Sequence, residues 1–322
     1  MACNEYCRHC GSRIGDVCAD EPLALDEFKR VVAEVAEDFP RKPLLCITGG
    51  EPLLYPDLFE LMTFASNLGF GWGMTTNGTL IDTQTAHRLA LAGMKTVSVS
   101  LDGLKVDHEW FRQVPGSYDA TVDGIRALVA EGAFAHVQLT TVVNKRNYPT
   151  LEAMYAEFSR LGVKSWRVIN IEPIGRAKDN PELLLGPEEY RGLVAFIREK
   201  RHAGPMEVTY GCSHFLGGEN EGLTRNWYFV CSAGIMTASI ANNGDIVSCL
   251  DVERRPELVE GNVRTDRFSD VWRDGYERYR TDWRKVGKCR HCLYWKVCAG
   301  DSFHSWDFDA MEPALCMKGI LF

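Results

Sequence analysis

The feature that most constrains the fold is an alternation of helical and strand patterns between residues 23 and 203. Apolar residues recur at helical spacing over residues 25–39, 57–69, 83–93, 119–132, 150–162 and 187–201. Between them lie short apolar runs, as buried strands show, at residues 43–48, 72–76, 95–101, 136–143 and 165–171. This alternation predicts a parallel α/β architecture, and periodicity alone leaves an open sheet and a barrel as alternatives.

Near residue 205 the pattern changes to a segment rich in Cys, Gly and aromatic residues, with short strand candidates at 236–241 and 245–249. We therefore predict an α/β domain over residues 1–205 and a small cysteine-rich domain over residues 206–322. The second segment is too rich in loops to be stable through an apolar core alone. Bound metal is expected to organise it.

The composition restricts the partners and the compartment. The 322 residues carry a formal net charge of −8 without any run of Lys or Arg, which argues against nucleic acid and anionic membranes as partners. No apolar stretch approaches the roughly 18 residues that span a bilayer, and no signal peptide precedes the first cysteine. We therefore expect a cytoplasmic protein.

The twelve cysteines fall mainly in two zones of the chain. Three lie within the first ten residues, and seven lie between Cys212 and Cys316. The reducing cytosol argues against a disulfide framework, so ligation of metal or clusters in two separate zones is the better explanation. Cys18 and Cys46 lie between the zones and are interpreted as structural, with Cys46 buried in an apolar strand.

The first zone is a short loop that carries Cys3, Cys7 and Cys10. A cluster of four irons and four sulfides normally takes four protein thiolates, so a loop with three leaves one iron open to an outside ligand. An open iron suits a catalytic cluster rather than one that only carries electrons. The alternative is a zinc site made by these cysteines with His9 or Cys18.

Small and polar residues follow several predicted strands. The segment Gly49-Gly50-Glu51-Pro52 comes straight after the strand candidate at residues 43–48, where two glycines would let a ligand approach the backbone. The carboxyl ends of parallel strands form the ligand-binding edge of β/α enzymes. Further candidates at or near strand ends are Asn77, Ser100, Asp102, Arg112, Gly175 and Arg176.

The second cysteine zone completes a family signature. Cys231 is followed by twelve residues, Gly244, four residues and Cys249, and then come Cys289-x2-Cys292-x5-Cys298 and Cys316. Together with the spacing C-x3-C-x2-C of the first loop and the Gly-Gly-Glu-Pro segment, this pattern resembles the radical S-adenosylmethionine (SAM) enzymes that carry a SPASM domain. The resemblance covers nearly the whole chain. It implies a partial (β/α)6 TIM-like barrel followed by a small domain for auxiliary iron–sulfur clusters.

The resemblance also implies roles for the first-zone residues. Cys3, Cys7 and Cys10 would hold a catalytic 4Fe–4S cluster whose open iron binds the amino and carboxylate groups of SAM. Gly49, Gly50, Glu51 and Pro52 resemble the motif that holds the SAM amino group. Other SAM contacts are implied for His9, Asn77, Ser100, Asp102, Arg112, Gly175 and Arg176. A strand normally precedes such a loop, so we expect that the first strand is missing or truncated.

For the SPASM domain the resemblance implies one or two auxiliary 4Fe–4S clusters. The second of these has a complete set of four candidate ligands, Cys289, Cys292, Cys298 and Cys316. Zinc is the alternative occupant of that site.

The first auxiliary cluster lacks part of its ligand set. Its candidates are Cys231, Cys249 and Cys212, and Cys212 could equally be a buried thiol. Ser302 stands where the family pattern has a further cysteine. Either Asp301 or His304 would then supply the fourth ligand, or the iron would stay open, or the cluster would be absent.

The predicted function is reductive cleavage of SAM, followed by transfer of a hydrogen atom from a substrate carbon to the 5′-deoxyadenosyl radical. The resemblance favours a ribosomally made peptide or a protein as substrate, modified by cross-linking or epimerisation. The alternatives are formylglycine formation in a sulfatase, dehydrogenation of a sugar or aminoglycoside, and oxidation of a haem precursor. Expected partners are a reductant such as flavodoxin or ferredoxin and a separate leader-binding protein.

Two alternatives lie outside this enzyme class. A non-catalytic zinc scaffold would make both cysteine zones structural, and it leaves the Gly-Gly-Glu-Pro segment unexplained. A ferredoxin-like electron carrier would need neither a loop of three cysteines nor so large an α/β domain.

Overall fold

The computed structural model describes residues 2–16, 21–211 and 214–322, and its largest unit is one sheet of six parallel strands. The strands lie side by side in chain order. They are β1 (Leu45–Ile47), β2 (Trp72–Thr76), β3 (Met94–Ser100), β4 (His136–Val143), β5 (Ser165–Asn170) and β6 (Glu207–Tyr210). Because all six run parallel, their carboxyl ends meet at one edge of the sheet.

Helices precede and connect these strands and cover one face of the sheet. They are α1 (Leu25–Asp38), α2 (Leu58–Asn67), α3 (Thr83–Leu91), α4 (Lys105–Arg112), α5 (Ser117–Glu131), α6 (Leu151–Phe158) and α7 (Pro187–Lys200). Short 3-10 helices lie at Pro52–Leu54, Tyr148–Thr150, Ser159–Leu161, Gly175–Asp179 and Pro181–Leu183. The helices bury the apolar face of the sheet in one continuous core.

The two faces of the sheet differ in polarity, as alternation along a strand requires. In β3, Val97 and Val99 are buried in the core, whereas Ser98 and Ser100 on the opposite face are half-buried. In β5, Arg167 lies on that same opposite face, which we call the inner face. The inner face is therefore polar and partly open to solvent.

The sheet is curled around its inner face. In a flat sheet, β1 and β5 would lie about 19 Å apart, four spacings of about 4.8 Å. Although the Cys46 residue on β1 is exposed, the atoms around its thiol partly desolvate it and raise its pKa, and the positive charge of Arg167 on β5 counteracts part of that rise. One short segment also reaches the ends of both strands: the Ala2 carbonyl accepts from the Glu51 N–H after β1 at 2.9 Å, and the Cys10 carbonyl accepts from the Arg176 N–H after β5 at 3.1 Å. The carboxyl ends of β1 and β5 are therefore arranged around one loop, as in a partial barrel.

The rest of the chain forms a smaller, loop-rich unit. Its helices are α8 (Gly218–Thr224), α9 (Phe268–Asp274), α10 (Glu277–Arg280) and α11 (Trp295–Cys298). Its strands are β7 (Ser239–Ile240), β8 (Asp245–Val247), β9 (Gly261–Asn262), β10 (Trp306–Asp307) and β11 (Glu312–Pro313). Strands β7–β9 form one antiparallel sheet, and β10 pairs with β11. A separate small core contains Cys289, Trp295 and Trp306.

The predicted alternation is confirmed, and the partial barrel decides between an open sheet and a barrel. Helix α4 was not predicted, because its buried face carries His108 and Arg112 beside Phe111 and so hides the apolar period. Strand β6 was also missed. It pairs in parallel with β5, so the sheet continues past the boundary predicted at residue 205.

Two smaller expectations are also corrected or limited. Cys46 is exposed rather than buried, because β1 is an edge strand and the thiol belongs to the partly open inner face. Cys18 lies outside the described residues. Within the described ranges, no helix is both long enough and apolar enough to cross a membrane.

Candidate functional site

The loop of Cys3, Cys7 and Cys10 lies at the carboxyl edge of the sheet. Cys7 is buried, whereas Cys3 and Cys10 are half-buried. The backbone N–H of Cys10 donates to the Cys7 carbonyl at 3.2 Å, which makes the end of the loop a tight turn. Burial raises the pKa of the Cys7 thiol to about 12 despite the nearby Arg112 guanidinium. The thiolate at this position therefore needs a bound cation or iron to form at neutral pH.

Arg112 connects the cysteine loop to β3 through buried ion pairs. Its Nε donates to Asp102 Oδ2 at 2.8 Å, and its Nη1 donates to Glu5 Oε2 at 3.0 Å. Nη1 also lies 3.6 Å from Cys7 Sγ. Burial alone would raise the pKa of Asp102, but Arg112, His9 and His108 bring it below its usual value. Arg112 therefore stabilises negative charge beside the buried thiol.

Two buried polar atoms next to the cysteines lack a hydrogen-bond partner among the described residues, Glu5 Oε1 and His9 Nδ1. The His9 ring stacks on Phe111 at a centroid distance of 4.3 Å, and burial lowers the pKa of His9 to about 4. The imidazole is therefore neutral at physiological pH. Three thiols next to unsatisfied buried polar atoms fit a bound cluster with a polar ligand.

The segment Gly49–Pro52 closes one side of the loop. A Cβ at Gly50 would lie 1.8 Å from the Ala2 carbonyl oxygen, which accepts from the Glu51 N–H at 2.9 Å. The Ala2 carbonyl therefore fills the space that a side chain at Gly50 would need, and the contact of this segment with SAM stays a prediction. Pro52 begins the 3-10 helix that follows.

The Glu51 side chain joins this segment to the end of β2. Its Oε1 accepts from the Thr76 hydroxyl at 2.8 Å and its Oε2 from the Asn77 N–H at 2.8 Å. The Asn77 side chain in turn donates to Asn4 Oδ1 at 2.8 Å, within the cysteine loop. Glu51 is therefore a bracing group whose carboxylate oxygens both already accept hydrogen bonds. Ser100 ends β3 and lies half-buried on the inner face.

Gly175 and Arg176 hold the loop from the opposite side. A Cβ at Gly175 would lie 2.2 Å from the Cys10 carbonyl oxygen, and the Arg176 N–H donates to that oxygen at 3.1 Å. The Arg176 guanidinium donates to the Cys7 carbonyl at 3.2 Å and to Asp16 Oδ2 at 3.1 Å. Segments predicted separately from four strand ends therefore converge on one loop.

The structure also brings together the four predicted ligands of the second auxiliary cluster. A cavity of about 310 Å³ is lined by ten residues, among them Cys289, Cys292, Cys298 and Cys316. Within the described ranges, no three Cys, His, Asp or Glu side chains converge closely enough to hold a single metal ion. A zinc ion would draw its sulfur ligands to about 2.3 Å. Four thiols spread around a cavity therefore fit a cluster better than zinc.

The first auxiliary site is only partly assembled by the described residues. Cys231 Sγ accepts from the Phe303 N–H at 3.4 Å, and Cys249 is half-buried. Cys212 lies outside the described residues. The Ser302 hydroxyl lies 3.3 Å from His304 Nε2. The ligand set of this site therefore stays a prediction.

Asp301, one candidate for the missing ligand, belongs to a buried charge triad. Its Oδ2 lies 2.7 Å from His214 Nδ1, while His214 Nε2 lies 2.6 Å from Glu172 Oε1. Burial alone would lower the pKa of His214, but Glu172 and Asp301 raise it to about 10. This imidazolium links the end of β5 to the cysteine-rich unit.

Sequence reasoning missed Glu5, Glu172 and His214. Glu5 had one signal, a charged residue between two cysteines of the loop. Glu172 and His214 had none, because each gains its role from contacts with residues far away in the chain.

Comparison with known proteins agrees with this geometry. Residues 1–158 match the family model of the radical SAM superfamily, and residues 231–293 match that of the SPASM iron–sulfur cluster-binding domain. An AdoMet-dependent heme synthase of Oleidesulfovibrio alaskensis is 30% identical over 322 residues, covering 93% of this chain and 79% of that protein. A mycofactocin maturase of Mycobacterium tuberculosis is 28% identical over 338 residues, covering 99% of this chain and 81% of that protein.

Solved structures share the fold. SuiB of Streptococcus suis bound to SAM gives a TM-score of 0.71 at 19% identity, covering 93% of this chain and 70% of that one. The protein anSMEcpe with bound SAM gives 0.72 at 18% identity, covering 95% and 87%. The two family models imply SAM and 4Fe–4S clusters as cofactors. The chain therefore belongs to the radical SAM superfamily and is an enzyme with a C-terminal SPASM domain.

Proposed function

We propose that this enzyme uses SAM at the cysteine loop to take a hydrogen atom from a haem precursor, a porphyrin with carboxylate side chains. The supporting observation is that three AdoMet-dependent heme synthases are 28–30% identical to it, covering 92–98% of this chain and 79–90% of those proteins. An Fe-coproporphyrin III synthase is 25% identical over 93% of this chain. These relatives favour what the sequence analysis gave as an alternative to a peptide.

When bound, a 4Fe–4S cluster supplies the electron that splits SAM into methionine and a 5′-deoxyadenosyl radical. Cys3, Cys7 and Cys10 would hold it. Arg112 lies 3.6 Å from Cys7 Sγ and lowers the free-energy cost of a thiolate in this buried position. The stacked pair of His9 and Phe111 closes the loop on one side and helps to exclude water from it.

Maturation of a peptide or protein is the second candidate. Mycofactocin maturases are 27–28% identical over 99% of this chain, an identity close to that of the heme synthases. The fold also accommodates a peptide in SuiB bound to its precursor peptide SuiA. A reductant such as flavodoxin or ferredoxin and a separate leader-binding protein would be partners under this proposal.

The test is an anaerobic reaction of reconstituted protein with dithionite, SAM and Fe-coproporphyrin III. We expect 5′-deoxyadenosine together with a SAM-dependent change in the mass of the porphyrin, and we expect Cys7→Ala to abolish both. Leu91→Ala is the handling control, because that side chain is 72% exposed on α3. Nucleoside without any change in the porphyrin would exclude this substrate. A cluster-loaded protein that makes no 5′-deoxyadenosine would contradict the proposed reaction itself.

A further inference from the structure

Arg167 lies on the inner face of β5 with part of its guanidinium unused. Its Nε donates to the Thr140 hydroxyl at 3.2 Å. Within the described ranges, neither Nη group has an acceptor, and no carboxylate oxygen lies within the 4.0 Å of an ion pair. The buried arginines that do bond to carboxylates or carbonyls are Arg112, Arg176, Arg201, Arg225 and Arg284.

One hydrogen bond, from Nε to Thr140, orients the guanidinium of Arg167. The Thr140 hydroxyl that accepts from Nε is itself bonded to the Ser98 hydroxyl at 2.6 Å. On the neighbouring strand β6, Glu207 has the same side-chain direction, but it accepts from Asn226 at 3.1 Å rather than from Arg167. The two Nη groups are thus left for an acceptor that is not part of the described chain.

The register of the sheet places this group at the same level as Ser100, a residue of the predicted cofactor site. Ser100 of β3 pairs with Thr140 of β4, and Thr140 pairs with Arg167 of β5. Arg167 therefore lies at the level of Ser100, two strands away along the inner face. The interior of the curl between Arg167 and Cys46 is partly open, because both side chains lie on the half-exposed inner face.

We propose that Arg167 binds a carboxylate group of the substrate inside the curled sheet. Two parallel Nη–H groups match the two oxygens of a carboxylate, and such charge-assisted bidentate pairs give both affinity and orientation. The identity of the substrate rests on the proposed function. The inference that the substrate carries a carboxylate rests on Arg167 alone.

Three molecules can supply that carboxylate: a porphyrin with carboxylate side chains, a peptide with a free carboxyl terminus, and SAM itself. The substrate is the source that we infer, because Arg167 lies two strands from Ser100, on the wall of the curl rather than at the cysteine loop. The experiment separates the three sources.

The test measures equilibrium binding to the cluster-loaded enzyme with matched pairs of probes. The first pair is coproporphyrin III and its tetramethyl ester, and the second is N-acetyl-Gly-Gly and its amide. SAM is measured separately. The variants are Arg167→Gln, Arg167→Lys and Thr140→Val. The matched control is Arg126→Gln, which removes an arginine that is 63% exposed on α5.

We expect the wild-type enzyme to bind coproporphyrin III about tenfold or more tightly than its ester, as a charge-assisted bidentate pair allows. Arg167→Gln should abolish this ratio between the affinities for the acid and for the ester. It should leave the affinities for the ester and for SAM unchanged. Arg167→Lys should keep part of the affinity ratio, because lysine retains the positive charge but lacks the two parallel N–H donors. Thr140→Val should reduce the ratio by loosening Nε, and Arg126→Gln should leave it intact.

The outcomes separate failure of the site from failure of the proposed function. If the ratio for the peptide pair alone depends on Arg167, the site stands and the haem-precursor function fails. If the porphyrin ratio persists in Arg167→Gln, or if neither pair shows a ratio in the wild-type enzyme, the inference is overturned. A loss of SAM affinity alone would assign the carboxylate to the cofactor and would also overturn it.

Discussion

At the scale of single residues, the cysteine loop depends on positions without a side chain. The Ala2 carbonyl occupies the space of a Cβ at Gly50, and the Cys10 carbonyl occupies that of a Cβ at Gly175, where φ is +51°. These glycines therefore permit close packing of backbone against backbone. The two glycines thereby set the position of the thiols. They affect a bound ligand through that position.

Gly50→Ala should displace the cysteine loop. The new methyl group would lie 1.8 Å from backbone oxygen, which must move, and Cys3 follows directly after Ala2. We expect lower iron and sulfide content after reconstitution and little 5′-deoxyadenosine. Gly222→Ala in α8 is the matched control, because nothing lies within 4 Å of its Cβ. It should be neutral or stabilise the fold by up to about 1 kcal/mol. Full iron content in Gly50→Ala would refute this account.

At the scale of elements, α1 joins the barrel to the cysteine-rich unit. Asp38 at its end accepts from Arg267 Nε at 2.7 Å and from the Ser269 hydroxyl at 2.7 Å. Nearer its start, Glu27 accepts from Arg264 at 2.8 Å. The segment before α9 is thus fixed at both ends of one helix by charged contacts.

Asp38→Asn should change the pH dependence of folding stability. Hydrogen bonds from Arg267 and Ser269 lower the pKa of Asp38 to about 2, from 3.8 in an unfolded chain. A lowered folded pKa stabilises the fold fully above pH 3.8, and this contribution disappears as pH falls through 2. The variant should therefore have a lower urea midpoint than the wild-type protein at pH 6. It should also lose less stability than the wild-type protein between pH 4 and pH 2. Asp123→Asn, at a 73% exposed position, should retain the wild-type profile. Parallel curves for Asp38→Asn and wild type would contradict this.

At the scale of the whole molecule, a buried charge triad links the two units. Glu172 follows β5, Asp301 lies in the cysteine-rich unit, and His214 bonds to both. The side chains of His214, Glu172 and Asp301 are 0%, 7% and 4% exposed, so solvent does not replace a lost partner. The stability of the cysteine-rich unit is therefore coupled to that of the barrel.

His214→Leu should be strongly destabilising, because it leaves two carboxylates buried without their cation. Removal of one partner from a buried ion pair typically costs about 3–5 kcal/mol of unfolding free energy. Urea denaturation at pH 7 measures this, with His136→Gln as the control at an exposed position. His214→Gln should be intermediate, because its amide can donate to one carboxylate. A His214→Leu variant within 0.5 kcal/mol of wild type, the range of ordinary surface changes, would contradict this coupling.

Much of the fold could be predicted because its signals are local. The strands β2 and β4 have the bounds that their apolar runs predicted, residues 72–76 and 136–143. Helix α4 and strand β6 escaped prediction for physical reasons. The first buries His108 and Arg112, and the second is four residues long with no flanking alternation.

The candidate site was predictable as a set of residues but not as a set of contacts. The spacing of Cys3, Cys7 and Cys10 indicated a cluster loop, and residues at the strand ends indicated its neighbours. The structure adds contacts within the chain that the spacing does not encode: Asp102 accepts from Arg112, and Glu51 accepts from the Asn77 N–H. A side chain whose place in the sequence predicts ligand binding can equally form hydrogen bonds with other residues of the protein.

The sequence by itself determined the alternation of strands and helices, the two cysteine zones and the family, because each depends on residues close together in the chain. Only the tertiary structure decided that Arg112 faces Cys7, that His214 joins Glu172 to Asp301, and that the Nη groups of Arg167 find no acceptor among the described residues. The residues of each such pair lie between 42 and 105 positions apart. Their proximity comes from the curl of the sheet and the docking of the second unit, which no local pattern encodes.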